Sequence, residues 1–444
     1  MDLFLDHDQT VLLWFTLFGL LLARAWFGKT PAAGLGLCHL LNLAIIHFFT
    51  EFFVGANSSI NFTDRIAGQT GFKVTGIAIL GLIAAFGTVQ FSKKFLLPQK
   101  FSPQVIDETV STKVGYLAII YGFGTYFVLS KVLSFIPSIT SILSSGMALA
   151  AAGMAIWYYI TLKRNGSVAA LAISSFSIMF PICTVLFAGF IGFGVFAVLS
   201  LLCFMICLHK PRWQMLVVAP AVIFMGLSLY PAYMKAREEI RRKVWGEADY
   251  SERTAATIGG IFDNWEWFDP ENENQLASMN NRLNQNVLVG LSYSFLTSGS
   301  GQYAEGETLL DGLLALIPRA IWPEKKIKAG SGGMVTRFAG IVVPDSTSIG
   351  IGNIMELFVN FGVYGVFVGF LVIGSAVYLL DEACGLSLES GDFRRFILYF
   401  TMAQSFMNVI GSFVEWGPSL VGAYVLTLIY QKFAFKTVIN KPFE

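Results

Sequence analysis

The chain has 444 residues, of which 55% are hydrophobic and 13% are charged, and its formal net charge is +1 at pH 7. Because soluble domains carry about 25% charged residues, this composition excludes an ordinary soluble protein and indicates a multi-span membrane protein. The balanced charge gives no support for nucleic-acid binding, and the five cysteines lie in or beside apolar stretches, which predicts neither a disulfide framework nor a metal site.

Apolar windows long enough to cross about 30 Å of hydrocarbon predict about eleven membrane spans and therefore an all-α polytopic membrane protein. The spans fall near residues 9–27, 33–54, 72–92, 114–135, 140–162, 167–187, 188–208, 213–233, 354–380, 393–412 and 416–434. The predicted organisation is eight transmembrane helices in 1–234, a polar segment in 235–353, which we call the island, and three transmembrane helices in 354–444.

The distribution of Lys and Arg over the short loops predicts the orientation of the chain, because cytoplasmic loops carry the excess. One alternate set of loops, with the C-terminal tail, carries Arg24, Lys29, Lys93, Lys94, Lys100, Lys113, Lys163, Arg164, Lys210, Arg212, Arg394, Arg395, Lys432, Lys436 and Lys441. The other set, without the island, carries only Arg65, Lys73 and Lys131. We therefore expect the N-terminus and the island outside and the C-terminus in the cytoplasm. The acidic start, Met1–Asp8, lacks the basic region of a cleaved signal peptide, which predicts that the first span is retained.

The island contains 12 of the 30 basic and 15 of the 29 acidic residues. Lipid cannot accommodate this charge, so the island must fold in water or at the membrane surface, and we expect any chemistry to be located there. It begins with Lys235–Lys243, a charged continuation of the eighth span. This stretch is either a solvated helix or a place where Arg237, Arg241 and Arg242 attract an anionic lipid headgroup.

The middle of the island combines aromatic residues, acids and amides. Trp265 and Trp267 either form a platform for sugar rings or anchor the chain at the membrane interface. Apolar residues at helical spacing from Leu276 to Leu291 predict an amphipathic helix. Its amides, with Asn284 among them, and Arg282 either read sugar hydroxyls or face water.

The last part of the island holds the strongest candidates for chemistry. Glu305 and Glu307, beside Tyr303, are either proton acceptors for a sugar hydroxyl or solvated loop acids. The following apolar stretch, Leu309–Trp322, is too short to span and predicts an interfacial segment. The cations around and after it either meet a lipid diphosphate or extend to water in the ordinary way; they are Arg319, Lys325, Lys326, Lys328 and Arg337.

Outside the island, His47 and Glu51 are four residues apart towards the outer end of the second span, and they either face the same outer cavity as functional groups or form a structural hydrogen-bonded pair. The sequence contains no Walker loop and no His-Glu-x-x-His motif, so we predict no cofactor and no metal.

Gly306–Thr308, Leu316–Lys325 and Glu356–Gly362 resemble bacterial oligosaccharide repeat-unit polymerases, the Wzy-type O-antigen and exopolysaccharide polymerases. The similarity is local and covers about residues 278–370. It implies a GT-C-like, metal-independent glycosyltransferase of the bacterial inner membrane, in which the island is a large periplasmic loop. The implied substrate is undecaprenyl-diphosphate-linked oligosaccharide, and the implied partners are membrane lipid, a chain-length regulator and a flippase.

Carried onto this sequence, the resemblance assigns expected roles to the candidates. Arg319 is the first choice for binding the diphosphate, because a leaving diphosphate needs cations at headgroup depth. The other candidates for the diphosphate are Arg282, Arg337, Lys325, Lys326 and Lys328. The candidates for the base or for holding the acceptor are Glu305, Glu307 and Glu356, and the candidates for sugar binding are Trp265, Trp267, Asn284, Tyr303 and Asn360.

Two alternative functions remain open. O-antigen ligases have similar spans, and the family picture includes an essential histidine in the outer loop, whereas His7, His39, His47 and His209 all lie outside the island. A lipid or polysaccharide transporter is the alternative of a different class. The absence of a clear pair of interrupted spans in matching halves weighs against it.

Overall fold

The computed structural model describes residues 5–51, 61–97, 108–133, 136, 139–246, 249–317, 319, 321–325, 332–343 and 349–439. Within these residues 83% are helical and no strand is present. The helices before the island are α1 (His7–Phe27), α2 (Leu35–Leu43), α3 (Phe62–Leu96), α4 (Glu108–Phe123), α5 (Thr140–Ser144), α6 (Gly146–Ser174), α7 (Met179–Ala188), α8 (Gly192–Leu208) and α9 (Trp213–Trp245). Short π-helical turns continue α2 over Ala44–Phe48 and α4 over Gly124–Leu129.

The island itself is helical over much of its described length. Its helices are α10 (Tyr250–Asp263), α11 (Glu273–Leu283), α12 (Gln285–Thr297), α13 (Glu307–Ala315) and α14 (Gly332–Ala339). They are followed by α15 (Gly352–Ser390), α16 (Phe393–Ala403) and α17 (Phe413–Ile439).

Seven helical stretches in the described residues are long and apolar enough to cross a membrane. They are His7–Phe27, Thr63–Leu96, Thr112–Leu129, Thr140–Ala188, Trp213–Trp245, Gly352–Ser390 and Phe413–Phe433, with Leu35–Glu51 and Gly192–Leu208 as shorter apolar helices. The prediction of an all-helical, membrane-embedded protein is confirmed.

The count of about eleven spans stays a prediction. Two places explain part of its difference from the seven stretches that qualify by length and composition. The windows at 140–162 and 167–187 are counted together in the stretch Thr140–Ala188, although the backbone of Gly166, with a φ of 83° and a ψ of −178°, interrupts the helix between them. The window at 393–412 is helical only to Ala403 and continues as a 3₁₀ turn, Gln404–Met407.

The island is attached to the membrane helices by direct backbone packing of α12 on α3. A Cβ added at Gly71 would lie 1.9 Å from the Asn286 carbonyl oxygen, and one at Gly290 would lie 1.8 Å from that of Ala67. Beside this crossing, Asn286 Oδ1 accepts a hydrogen bond from His47 Nδ1 at 2.7 Å, and Asn286 Nδ2 donates to the His47 carbonyl at 2.8 Å. The structure thus corrects the expectation for His47, which bonds to the island while Glu51 lies 3.7 Å from His7.

The close crossing makes a strong prediction for Gly71. Carbon and oxygen atoms approach to about 3.3 Å at the closest, so Gly71→Ala must push α3 and α12 apart by more than an ångström, which we expect to cost about 1 to 3 kcal/mol of stability. Gly87→Ala on the same helix is the matched control, because a Cβ there meets nothing within 4 Å. Thermal unfolding in detergent should separate the two variants, and equal midpoints would contradict the packing of α12 on α3.

Candidate functional site

The turn before α13 is joined to the first turns of α15 by hydrogen bonds between residues far apart in the chain. The Ala304 N–H donates to the Val359 carbonyl at 2.8 Å, and the Gly306 N–H donates to Asn360 Oδ1 at 2.9 Å. Asn360 Nδ2 donates to Thr308 Oγ1 at 2.7 Å. The buried Asn360 amide therefore fixes the start of α13 against α15, and it positions the candidate acids that precede and begin α13.

The helix α15 is interrupted beside this turn. Phe361 has a φ of −138° and Gly362 has a φ of 59°, so the backbone leaves the helical path just after Asn360. A Cβ at Gly362 would lie 4.0 Å from the Tyr303 hydroxyl, and the Tyr303 ring centroid is 6.2 Å from that of Phe358. The partly exposed phenol of Tyr303 thus covers the interruption.

Glu305 has an uncommon backbone conformation at the centre of this site. It is the one described non-glycine residue with a positive φ, 48°, and it is exposed. Its carboxylate makes no hydrogen bond or ion pair with any residue that the structure describes. The left-handed region costs a non-glycine residue roughly 1 to 2 kcal/mol, and strain of this kind is concentrated at functional sites.

Glu307, two residues further on, is already paired. Arg337 on α14 donates from Nη1 and Nη2 to the two Glu307 carboxylate oxygens at 2.9 and 2.7 Å. These hydrogen bonds, with the charge of Arg337, hold the pKa of Glu307 below its usual range. Both side chains are about half exposed, at 54% and 50%, so the pair contributes little to stability and can open to a competing anion.

Glu356 is buried beneath the same turn. Its Oε2 accepts a hydrogen bond from the Phe413 N–H at 2.7 Å, which fastens α15 to the start of α17. Its Oε1 is buried without a hydrogen bond of normal geometry among the described residues, although the side chain of Thr308 interacts with the carboxylate. This position favours a supporting role, since the Glu356 side chain is fully buried.

Arg319 and Lys325 lie at the other end of α13. Lys325 Nζ donates to the carbonyls of Ala315 and Ile317 at 3.0 and 2.8 Å, and Arg319 Nη1 donates to the Lys325 carbonyl at 2.9 Å. Burial, followed by the charge of Arg319, lowers the pKa of Lys325. The Lys325 ammonium is therefore committed to ending α13. Lys326 and Lys328, which were predicted to join this cluster, lie outside the described residues.

Asn284 is used by the helix that it precedes. Its Oδ1 accepts from the Asn286 N–H at 3.0 Å as the N-cap of α12, and its Nδ2 donates to Asn280 Oδ1 at 2.7 Å. The side chain is buried, so the geometry favours capping over sugar binding.

The two tryptophans follow α9 back towards the membrane. The Trp267 ring stacks on Phe224 of α9 with centroids 5.7 Å apart, and the Phe268 N–H donates to Ser228 Oγ at 3.0 Å. Trp265 meets Trp267 edge to face at 5.5 Å. Because Phe224 and Ser228 belong to the apolar part of α9, this arrangement favours the interfacial anchor over the sugar platform.

A buried charge network at the far end of α15 was not identified from the sequence. Arg24 Nε and Nη2 donate to the two Glu382 oxygens at 2.7 and 2.6 Å, and Lys93 Nζ donates to Glu382 Oε1 at 3.0 Å. The neighbouring Asp381 accepts from the N–H groups of Ala33 and Gly36 at 2.7 and 3.2 Å. A pair of acids directly after the apolar window at 354–380 was the signal that could have identified it.

These features define an all-helical, membrane-embedded protein with a polar site at one end of its bundle. The chain belongs to the family described as Domain of unknown function (DUF8712), whose model matches residues 55–386, about three quarters of the chain. The matched residues include the whole island and the interruption of α15. Searches of the curated proteins and of the solved structures gave no significant match.

Proposed function

We propose that this protein is a polymerase that joins undecaprenyl-diphosphate-linked oligosaccharide repeat units at the outer face of the bacterial inner membrane. The proposal includes about eleven spans in a GT-C-like arrangement, with the N-terminus outside and the C-terminus in the cytoplasm. It rests chiefly on one observation. The Asn360 hydrogen bonds join the turn that carries Tyr303 and Glu305 to the interruption of α15, and the exposed Glu305 carboxylate at this end of the bundle has no partner among the described residues.

The proposed reaction is a glycosyl transfer. An acceptor hydroxyl loses its proton to a carboxylate, its oxygen forms a bond to the anomeric carbon of the donor, and the bond from that carbon to the lipid diphosphate breaks. Glu305 is the best-placed carboxylate for the proton, because Glu307 is paired with Arg337 and Glu356 is buried. Tyr303 offers a ring and a hydroxyl to a sugar.

Negative charge develops on the departing diphosphate and needs cations held in place. Arg337 fits this role. Its guanidinium makes two exposed hydrogen bonds to the Glu307 carboxylate, and it can release that carboxylate and bind phosphate oxygens in its place. Arg319 stays a candidate for the same role at the other end of α13. In this proposal the reaction uses no metal and no cofactor.

The test is incubation of the purified full-length protein with a defined lipid-linked oligosaccharide, followed by electrophoresis of the products. A polymerase should give a ladder with the spacing of one repeat unit. A single addition to a lipid A core acceptor without a ladder would favour the ligase. Movement of the lipid-linked substrate between vesicle leaflets, with no lengthening, would favour the transporter and overturn the proposal.

A further inference from the structure

Three arginines meet between α9 and α11 at the place where α9 leaves its apolar part. Arg237 and Arg241 lie one turn apart on α9, and α11, which carries Arg282 in its last turn, packs against α9. Arg237 and Arg282 both lie within electrostatic range of Arg241. Arg237 and Arg282 also interact electrostatically with Tyr230. In the sequence the α9 arginines and Arg282 are separate features, and the packing of α11 on α9 brings them together.

Among the residues that the structure describes, these three arginines differ from the charged residues around them in having no acidic partner. Lys235 is paired with Glu266 at 2.8 Å, Lys243 with Glu252 at 2.9 Å, and Arg242 lies 3.8 Å from Glu239. In the part of the chain that the structure describes, no carboxylate lies within 4.0 Å of the three clustered guanidinium groups, and Arg237 and Arg282 make no hydrogen bond.

Arg241 is held in position by neutral groups. Its Nε donates to the Gly189 carbonyl at 3.2 Å, and its guanidinium lies over the rings of Phe190 and Trp245, 4.4 and 5.1 Å from their centroids. These contacts orient the guanidinium and leave its positive charge without a counterion. Three like charges held together repel one another, and an anion with several oxygen acceptors relieves this repulsion.

The surroundings indicate that the anion belongs to a lipid. The apolar part of α9 ends at Met234, three positions before Arg237, and towards the start of the helix it exposes large side chains, of which Met225 is the nearest to the cluster, 12 positions or about 18 Å along the helix. Trp245 is exposed on the other side of the cluster and lies over the Arg241 guanidinium, as aromatic residues do at a membrane interface. A lipid whose phosphate lies at the cluster can therefore reach the exposed apolar surface of α9 with its hydrocarbon chain.

We propose that Arg237, Arg241 and Arg282 form a binding site for the phosphate or diphosphate headgroup of a membrane lipid, with the exposed apolar face of α9 in contact with its chain. This site is distinct from the turn that carries Glu305. The assignment requires a membrane-embedded protein and does not depend on the reaction proposed above.

The experiment measures lipid binding to the full-length protein in detergent micelles by native mass spectrometry. The probes are a polyprenyl diphosphate, phosphatidic acid, phosphatidylcholine and inorganic pyrophosphate. The test variant is Arg237→Gln with Arg282→Gln, because neither side chain makes a described hydrogen bond whose loss would unfold the protein. Arg242→Gln on the same helix is the matched control.

We expect the double variant to bind polyprenyl diphosphate and phosphatidic acid at least about tenfold more weakly than the unchanged protein and the control. Phosphatidylcholine should bind weakly to all of them. Equal binding of the lipid phosphates by the double variant would overturn the site. Pyrophosphate that binds as tightly as the lipid diphosphate would assign the cluster to a free anion and overturn the lipid assignment. Since the readout is binding, the absence of a product ladder leaves this result unaffected.

Discussion

Replacement of Glu305 by glutamine is expected to lower glycan extension by about 10²-fold or more while the protein remains folded. A positioned general base contributes roughly 10² to 10⁴ in rate, and glutamine keeps the size of the side chain but cannot accept the proton. Because Glu305 is exposed and has no described partner, its replacement removes no contact that holds the fold. The measurement is the initial rate of product lengthening with purified lipid-linked repeats.

A glycine at the same position separates chemistry from backbone conformation. Glycine adopts a φ of 48° without strain, so Glu305→Gly should raise stability by up to about 1 kcal/mol and still abolish extension. Gain of stability with loss of activity is not expected of a residue that only holds the turn.

The matched control is Glu271→Gln, an exposed island acid in a different loop. It should extend glycans at the rate of the unchanged protein. Full extension by Glu305→Gln would remove Glu305 from the mechanism, and an equal loss in the control would indicate a general effect of island charge.

The membrane-embedded helices could be predicted because apolar length is a direct consequence of the thickness of the bilayer. The break at Gly166 agrees with this rule, because it falls between two windows that each fulfil the length requirement, just after Lys163 and Arg164. What could not be predicted was where a helix ends inside a window. The window at 393–412 is mostly apolar, although its α-helix ends at Ala403.

The candidate site could be predicted in its residue types and only partly in its connections. The sequence predicts the candidates Tyr303, Glu305, Glu307 and Asn360. It contains no sign that the Asn360 amide joins the turn with the other three to α15. Asn360 bonds to Gly306 across 54 positions, and a single side-chain contact of that kind has no periodicity to detect.

Asn284 and Lys325 show a different limit. An asparagine that caps a helix and one that binds a sugar have the same donors and acceptors, and so do a lysine that ends a helix and one that binds phosphate. Only the fold distinguishes these uses. It shows that the Asn284 side chain already accepts a hydrogen bond from the Asn286 N–H. It also shows that the Lys325 ammonium already donates to the carbonyls of Ala315 and Ile317.

Loss of Arg24 is expected to destabilise the protein strongly, by about 3 kcal/mol or more, although its partner Glu382 lies at the other end of α15 from the candidate site. Its side chain is 11% exposed and that of Glu382 is 6% exposed, so this is a buried ion pair with two hydrogen bonds. Removing one member of a buried pair leaves the other as an uncompensated charge, which typically costs about 3 to 5 kcal/mol. Lys93 and Gln90 still bond to Glu382 and should keep the loss at the lower end of that range.

The physical cause can be isolated with a double variant. Arg24→Met should show the full loss in thermal unfolding in detergent, whereas Arg24→Met with Glu382→Leu should recover much of it, because neither buried charge remains to be solvated. Lys93, whose side chain is 30% exposed, can then turn towards water. Lys94→Ala is the control from the same turn of α3, where the ammonium lies over the exposed rings of Phe91 and Phe95, and it should change stability by less than about 0.5 kcal/mol. A double variant as unstable as Arg24→Met would show that packing, and not the unpaired carboxylate, accounts for the loss.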